Sequence, residues 1–255
     1  MYQLPQLSKI EGVLHGVSTR KYGNQAFSIL GVPQPAKEVI ENRKRFLKEL
    51  SVNIENGVSM HVGVSDNPEI VRIDQSFSGR GMISPENSIK AEALITNIIG
   101  LFLFLVTADC HPIIFFDPVT RSLGLAHGSR QMTDEKLVTL VVERMKQEFG
   151  VSPSDLYIGI GPGIKKESYQ LEYLDPVFHI LQGMEQFTKK NNDGSFNLDL
   201  AGINHNLLVE AGIKPENIEV SSIDTRKSSD YFSHYRDSRE EQPEGRFATV
   251  AILTE

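Results

Sequence analysis

Three short apolar runs in the middle of the chain constrain its fold more than any other feature: Leu101 to Thr107, Ile113 to Phe116 and Leu123 to His127. Each is separated from the next by chain breakers, and each is short enough for a buried strand. Two amphipathic stretches bracket this centre. Ala36 to Leu50 follows the Pro33/Pro35 breaks and repeats Val39, Ile40, Phe46, Leu47 and Leu50 at helical spacing. Thr133 to Phe149 reads as a helix capped by Thr133. Asp134 and Glu135 suit its positive end, and Leu137, Leu140, Val141 and Met145 form one face.

The remaining segments fill in a mixed α/β pattern. HGVSTRKYG begins as a strand and ends in a glycine turn, and Val58 to Val64 and Glu69 to Asp74 read as short strands. SFSGRGMISPENS is polar, punctuated by Gly and Pro, and reads as a mobile loop. LYIGIG is a strand ended by Gly161-Pro162-Gly163. Helices are expected near Asp175 to Gln182 and Leu200 to Ala211, and strands at Ile218 to Ser222 and Phe247 to Leu253. Because strands and helices interleave without strict β-α-β alternation, a mixed sheet is expected rather than a doubly wound parallel one. No internal repeat or low-complexity segment breaks the 255 residues, so residues 1–255 are expected to form a single domain.

Charge and composition exclude several function classes. The net charge of −7 leaves no general electrostatic footprint for nucleic acid or an anionic membrane. The most apolar run, Ile98 to Val106, falls far short of the roughly 20 residues needed to span a bilayer as a helix. The opening MYQLPQLSKIEGVLHG lacks the basic start and apolar core of a secretory signal. With one Cys no internal disulfide forms, which argues for a reducing compartment. A cytoplasmic location is the expectation.

Reactive side chains concentrate around that cysteine. Cys110 lies in VTADCHP just after a strand, His127 in LGLAHGSR at the end of another, and His61 in SMHVG in a third. Strand ends beside loops are where folds commonly present chemistry. A thiolate and two imidazoles suit Zn²⁺ and also copper, and three protein ligands leave a fourth position for water or substrate. Their spacing matches no local zinc motif, so the residue types alone also allow a cysteine buried as a small hydrophobe, or a nucleophile with His127 as its base. Arg130, three residues beyond His127, has the planar fork that suits phosphate, though a surface ion pair is the ordinary role of such a residue. Gly161 could let a backbone approach a ligand, or simply end a strand.

The string TADCHPIIFFDPVTRSLGLAHGSRQ strongly resembles the core of the bacterial laccase-domain proteins. These were long called multicopper polyphenol oxidases and are now described as purine nucleoside phosphorylases. Thr107, Ala108, Asp109, Cys110, Pro112, Asp117, Pro118, Ala126 and His127 carry the match. His15-Gly16 with Thr19-Arg20 resembles the family's opening, Asn42-Arg43 its N-R pair, and Ile160-Gly161-Pro162 its I-G-P. Asp199-Leu200, Phe232-Ser233 with Arg236, and Gly245-Arg246 follow in order.

The resemblance implies a layered α/β sandwich of mixed sheets flanked by helices, similar to the catalytic domain of cytotoxic necrotising toxins. It implies a zinc site, sometimes copper, at His61, Cys110 and His127. It implies phosphorolysis of adenosine, inosine, guanosine or methylthioadenosine, with adenosine deamination at the same site. The implied partners are therefore purine nucleosides and phosphate, and oligomeric state is left open. Arg20, Arg236 and Arg246 become substrate-binding candidates through the resemblance alone. Three other readings stand beside it: a copper polyphenol oxidase, a metal-free cysteine hydrolase and a non-catalytic metal-binding protein. One Cys, seven His and no His-x-His argue against the oxidase. The chain also departs from the family pattern. Ser59 replaces a Gln before the first histidine, and His111 an apolar residue after the cysteine. Asp224 replaces a Cys before Thr225. Gly128-Ser129-Arg130-Gln131-Met132 stand where the family has A-G-W-R-G, which removes a large stacking surface.

Overall fold

The computed structural model describes residues 1–63, 67–173, 185–240 and 243–255. In chain order its strands are β1 (Val13–Val17), β2 (Ser28–Ile29), β3 (Val32–Pro33), β4 (Gly57–His61), β5 (Ile70–Arg72), β6 (Ile89–Lys90), β7 (Ala93–Thr96) and β8 (Phe102–Thr107). They continue with β9 (His111–Asp117), β10 (Ser122–Gly128), β11 (Tyr157–Ile160), β12 (Gln170–Leu171), β13 (Thr188–Lys190), β14 (Phe196–Leu198), β15 (Ile218–Val220) and β16 (Phe247–Leu253). The helices are α1 (Ala36–Lys48), α2 (Arg130–Asp134), α3 (Leu137–Phe149), α4 (Leu200–Glu210) and α5 (His234–Asp237).

The apolar strands are buried on both faces because they lie in two sheets packed against each other and covered by helices outside. The first sheet has the order β1-β16-β8-β4-β6, the second β15-β11-β9-β10-β7-β5. Both are mixed: β8 pairs antiparallel with β16 but parallel with β4, and β9 is antiparallel to β10 and β11 while β11 is parallel to β15. Alternation then sorts the side chains into layers. Leu103 and Leu105 of β8 meet Ile114 and Phe116 of β9 and Leu123 and Leu125 of β10 between the sheets. Phe102 and Phe104 turn outward onto Phe46 and Leu47 of α1. Ile113 and Phe115 turn outward onto Val138, Val141 and Met145 of α3 and Ile203 and Leu207 of α4. The result is a four-layer helix-sheet-sheet-helix sandwich. Each such buried side chain contributes about 1.5–3 kcal/mol of hydrophobic stabilisation.

Three local readings differ from the sequence. The helix expected from Thr133 to Phe149 is two helices. Ser129 caps the first, its hydroxyl accepting from Met132 N (3.2 Å), and Lys136 at φ 55° turns the chain into the second. Thr133 is no cap but a buried hydroxyl, donating to Ser129 O (2.7 Å) and accepting from Asn204 Nδ2 (2.8 Å). Within α3 it is Val138 and Val142 that join Leu137, Val141 and Met145 in the core, whereas Leu140 is 41% exposed. The expected Asp175 to Gln182 helix lies outside the described residues. Strands β6 and β7 and the small sheet β12-β14-β13 carry no sequence signal that stands out, being two to four residues long.

Candidate functional site

The register of the sheets brings the candidate residues to one end of the sandwich. His61 ends β4, which runs parallel to β8, so it shares an edge with Thr107 at the end of β8. Residues 108–110 then cross from the first sheet to the second, and β9 starts at His111 opposite Gly128. His127 therefore sits beside that crossing, opposite Pro112. Arg20 follows β1, Gly161 follows β11, Arg130 follows β10, and Arg246 precedes β16, all at this end.

Cys110 and His127 touch. Burial alone would lower the His127 pKa, but the hydrogen-bonded Cys110 side chain and the Glu92 carboxylate outweigh it, and it is pushed up to about 9. Glu92 is 2% exposed and lies where the chain crosses from β6 to β7, the second crossing between the sheets. Its Oε2 lies 2.8 Å from His127 Nδ1 and its Oε1 accepts from Gly63 N (2.5 Å), two residues beyond His61. Its carbonyl also accepts from His127 N (2.9 Å). One buried carboxylate thus orients the imidazole and ties the His61 strand end to the His127 strand end. With Nδ1–H given to Glu92, Nε2 is the ring atom left for Cys110, a metal or a substrate proton.

Asp109 sets the direction of the cysteine. Its φ of 81° is a left-handed conformation that costs a non-glycine residue energy and must be held by its surroundings. Its carboxylate accepts from Thr225 Oγ1 (2.6 Å), Ser233 Oγ (3.0 Å) and Tyr235 N (2.7 Å), and its carbonyl from Ile164 N (2.8 Å). His111 is fully buried, its ring nitrogens 3.0 and 3.3 Å from the carbonyls of Gly161 and Ile164, and burial lowers its pKa to about 4. It stands behind the site as a neutral packing group. Tyr169 and Tyr235 face each other edge to face, with ring centroids 6.4 Å apart. Burial pushes the Tyr169 phenol up to about 12, and it lies in the fields of Arg130, Cys110 and Asp109. The Tyr169 phenol, Arg130 and Cys110 are thus near enough for their charges to act on one another.

The remaining arginines are committed to the chain itself. Arg236 donates to the carbonyls of Thr225, Arg226, Ser228 and Tyr231 and to Asp237 Oδ1 (2.9 Å). Arg20 donates to Asp237 Oδ2 (2.5 Å) and Tyr231 O (3.0 Å) and lies over Phe232. Arg246 donates to Gly245 O (2.8 Å) and lies 3.5 Å from Glu244. Gly161 packs so tightly that a Cβ would come within 2.8 Å of Pro112 Cγ. These residues sit at the right end of the fold, but their observed contacts brace its loops.

The donor set suits a metal chemically: a thiolate, an imidazole oriented by a carboxylate, and a second imidazole at the adjoining strand end. Among the described residues no group of three His, Cys, Asp or Glu side chains stands in a ligand geometry. The structure assembles the Cys110–His127 half and leaves His61 exposed beside it. Glu92, Tyr169 and Tyr235 escaped the sequence reading. Glu92 carried one usable signal, a lone carboxylate between apolar residues in KAEALIT. The two tyrosines carried none.

Comparison with known proteins places the chain among relatives of the same fold. The family model described as multi-copper polyphenol oxidoreductase laccase matches residues 12–254. The purine nucleoside phosphorylase YlmD of Bacillus subtilis is 27% identical over 204 residues, covering 78% of this chain and 73% of the relative. Adenosine deaminase RL5, from an unknown prokaryotic organism, is 24% identical, covering 89% of this chain and 90% of the relative. Among solved structures, the Bacillus licheniformis hypothetical protein YfiH superposes with a TM-score of 0.84 at 29% identity, covering 95% of this chain and 93% of that one. YlmD from Geobacillus stearothermophilus superposes with 0.83 at 26% identity, covering 96% and 93%. Among the described residues no helix is long and apolar enough to cross a membrane.

Proposed function

Since the chain belongs to the multi-copper polyphenol oxidoreductase laccase family, we propose that it is a metal-dependent purine nucleoside phosphorylase with adenosine deaminase activity at the same site. The observation that carries the reading is the Cys110–His127–Glu92 constellation at the crossing of the two sheets, in a chain whose relatives bear those two names. His61, Cys110 and His127 would hold Zn²⁺, with copper as the other metal such donors accept. Zn²⁺, when bound, supplies Lewis-acid polarisation and a water activated near neutral pH.

The chain's own residues divide the remaining work. Glu92 holds Nδ1–H of His127 and so keeps Nε2 directed at the reacting centre. Tyr169 and Tyr235 supply the aromatic surface that a purine needs, in a chain lacking the family's Trp. Arg130 places a cation beside them. In phosphorolysis a phosphate oxygen bonds to ribose C1′, the C1′–N9 bond breaks, and the departing purine keeps the electron pair and takes up a proton. In deamination water adds at C6 and ammonia leaves with a proton. The site works in the cytoplasm in this reading.

The test is a panel of adenosine, inosine, guanosine and methylthioadenosine, with and without phosphate, on metal-quantified protein, read by product chromatography. Free base plus ribose 1-phosphate with stoichiometric zinc is the expected result, and metal-loaded protein that converts no nucleoside overturns it. One second reading has its own observation. A Cys, a His with pKa near 9 and an orienting Glu also form a nucleophile-base-acid set. Metal-free protein whose Cys110 is rapidly alkylated and which hydrolyses amides would favour that hydrolase.

A further inference from the structure

Beside His61, a cavity of about 90 Å³ is lined by His61, Arg43, Ser28, Ser59 and Ser88, among others. Arg43 is 2% exposed, and its guanidinium is held between the rings of Phe27 and Phe104, 4.4 and 4.6 Å from their centroids. Nε donates to Gln25 O (2.9 Å), and Nη1 donates to Gly81 O (2.7 Å) and Met82 O (3.0 Å). Among the described residues Nη2 has no acceptor, and no carboxylate pairs with Arg43. A buried charge is normally paired. Burial without a counter-ion lowers the Arg43 pKa to about 9.

The rest of the wall has the same character. The hydroxyls of Ser28, Ser59 and Ser88 make no hydrogen bond among the described residues, and no Asp or Glu lines the cavity. Gly81 packs against this wall: a Cβ there would lie 2.7 Å from Ser88 Oγ and 2.9 Å from Ser59 Cβ. A uncompensated cation, free hydroxyl donors and room for one small group are the requirements of a tetrahedral oxyanion site. The larger concavity along the end of α1, about 550 Å³, is open and carries none of the reactive residues.

We propose that this cavity is the site of the phosphate co-substrate, with Arg43 Nη2 and the Ser59 and Ser88 hydroxyls as its donors. The proposal rests on the phosphorylase reading for the identity of the anion, and on Arg43 and the serines for its place. It moves phosphate from Arg130, which then serves the nucleoside side. Ser59, one of the chain's departures from the family pattern, becomes part of the anion wall.

The experiment is a calorimetric titration of inorganic phosphate into the intact protein and into Ser88→Asp, Arg43→Lys and Arg130→Ala, with thermal unfolding and inosine binding measured alongside. Ser88→Asp puts a carboxylate into the cavity beside Arg43 and should weaken phosphate by tenfold or more, with inosine affinity kept and the unfolding temperature not lowered. Arg43→Lys should weaken it as well. If that variant fails to fold, Ser88→Asp decides alone. Phosphate affinity preserved in Ser88→Asp, or lost only in Arg130→Ala, overturns the proposal, as does wild-type protein that binds no phosphate. Phosphate bound here without turnover of any nucleoside would refute the phosphorylase reading and leave the anion site standing.

Discussion

The two sides of the site use their polar atoms differently. On the Cys110 side they are joined into a network. Glu92 serves His127 twice and Gly63 once, Asp109 gathers Thr225, Ser233 and Tyr235, and Arg236 satisfies four carbonyls and Asp237. On the Arg43 side a buried guanidinium keeps one nitrogen without an acceptor, and three serine hydroxyls face the same small space among the described residues. A saturated network fixes geometry before any ligand arrives. Polar atoms that line a cavity without a protein partner are left to meet a ligand. The contrast separates groups positioned for chemistry from groups left open for binding.

The largest effect that tests this contrast is removal of the thiol. Cys110→Ala should lose bound zinc and turnover together, turnover by on the order of a thousandfold or more. Unfolding temperature should drop only slightly, because Cys110 is half-buried and the sheets that carry it are held by their own apolar packing. Unchanged turnover in metal-free Cys110→Ala would sink the metal reading. Asp109→Ala should come next, with a stability loss of about 3 kcal/mol in urea denaturation, since three donors lose a charged acceptor and a left-handed backbone loses its hold. A loss below ~1 kcal/mol would show that the network is not the fixed half of the site.

Glu92→Gln keeps the volume and removes the charge that orients His127. Zinc affinity, measured against a competing chelator, should weaken by roughly ten- to a hundredfold. Glu92→Asp should recover part of it. Equal affinity in all three proteins would reduce Glu92 to a tie between strand ends.

The smallest effect lies away from the site, at His15, and calibrates the others. His15 is fully buried, its Nε2 accepts from Leu4 N (2.8 Å), its Nδ1 has no partner among the described residues, and burial lowers its pKa to about 4. The unfolded chain therefore takes up this proton first, near pH 6.5, and the folded chain only near pH 4. Stability from this group is present above that window and falls as pH drops through it, by about 2 kcal/mol between pH 7 and pH 5. His15→Asn should remove that part of the pH dependence in urea titrations. An identical pH 7 to pH 5 difference in the variant would show that His15 is not held neutral.

Much of this molecule was determined by local sequence. Phe102 to Thr107 and His111 to Asp117 are buried on both faces because their apolar residues leave no face for water, which implied covered strands, and the irregular order of strands and helices implied a mixed sheet. α1 follows from its periodicity and the prolines before it, and α4 was expected near Leu200 to Ala211, where Asp199 caps it in the structure. Cys110, His127 and His61 stood out in the sequence because each ends, follows or lies in a strand signal, and the family motifs grouped them as a metal site. What only the tertiary structure decided are the pairings between distant segments. Glu92 meets His127 across 35 residues, Asp109 meets Ser233 across 124, and Arg43 meets Gly81 across 38. Hydrophobic periodicity records which face of an element is buried. A polar side chain that is buried takes its partner from whatever segment the topology delivers there, so the acid behind His127, the strain at Asp109 and the open guanidinium of Arg43 exist only once the two sheets have packed.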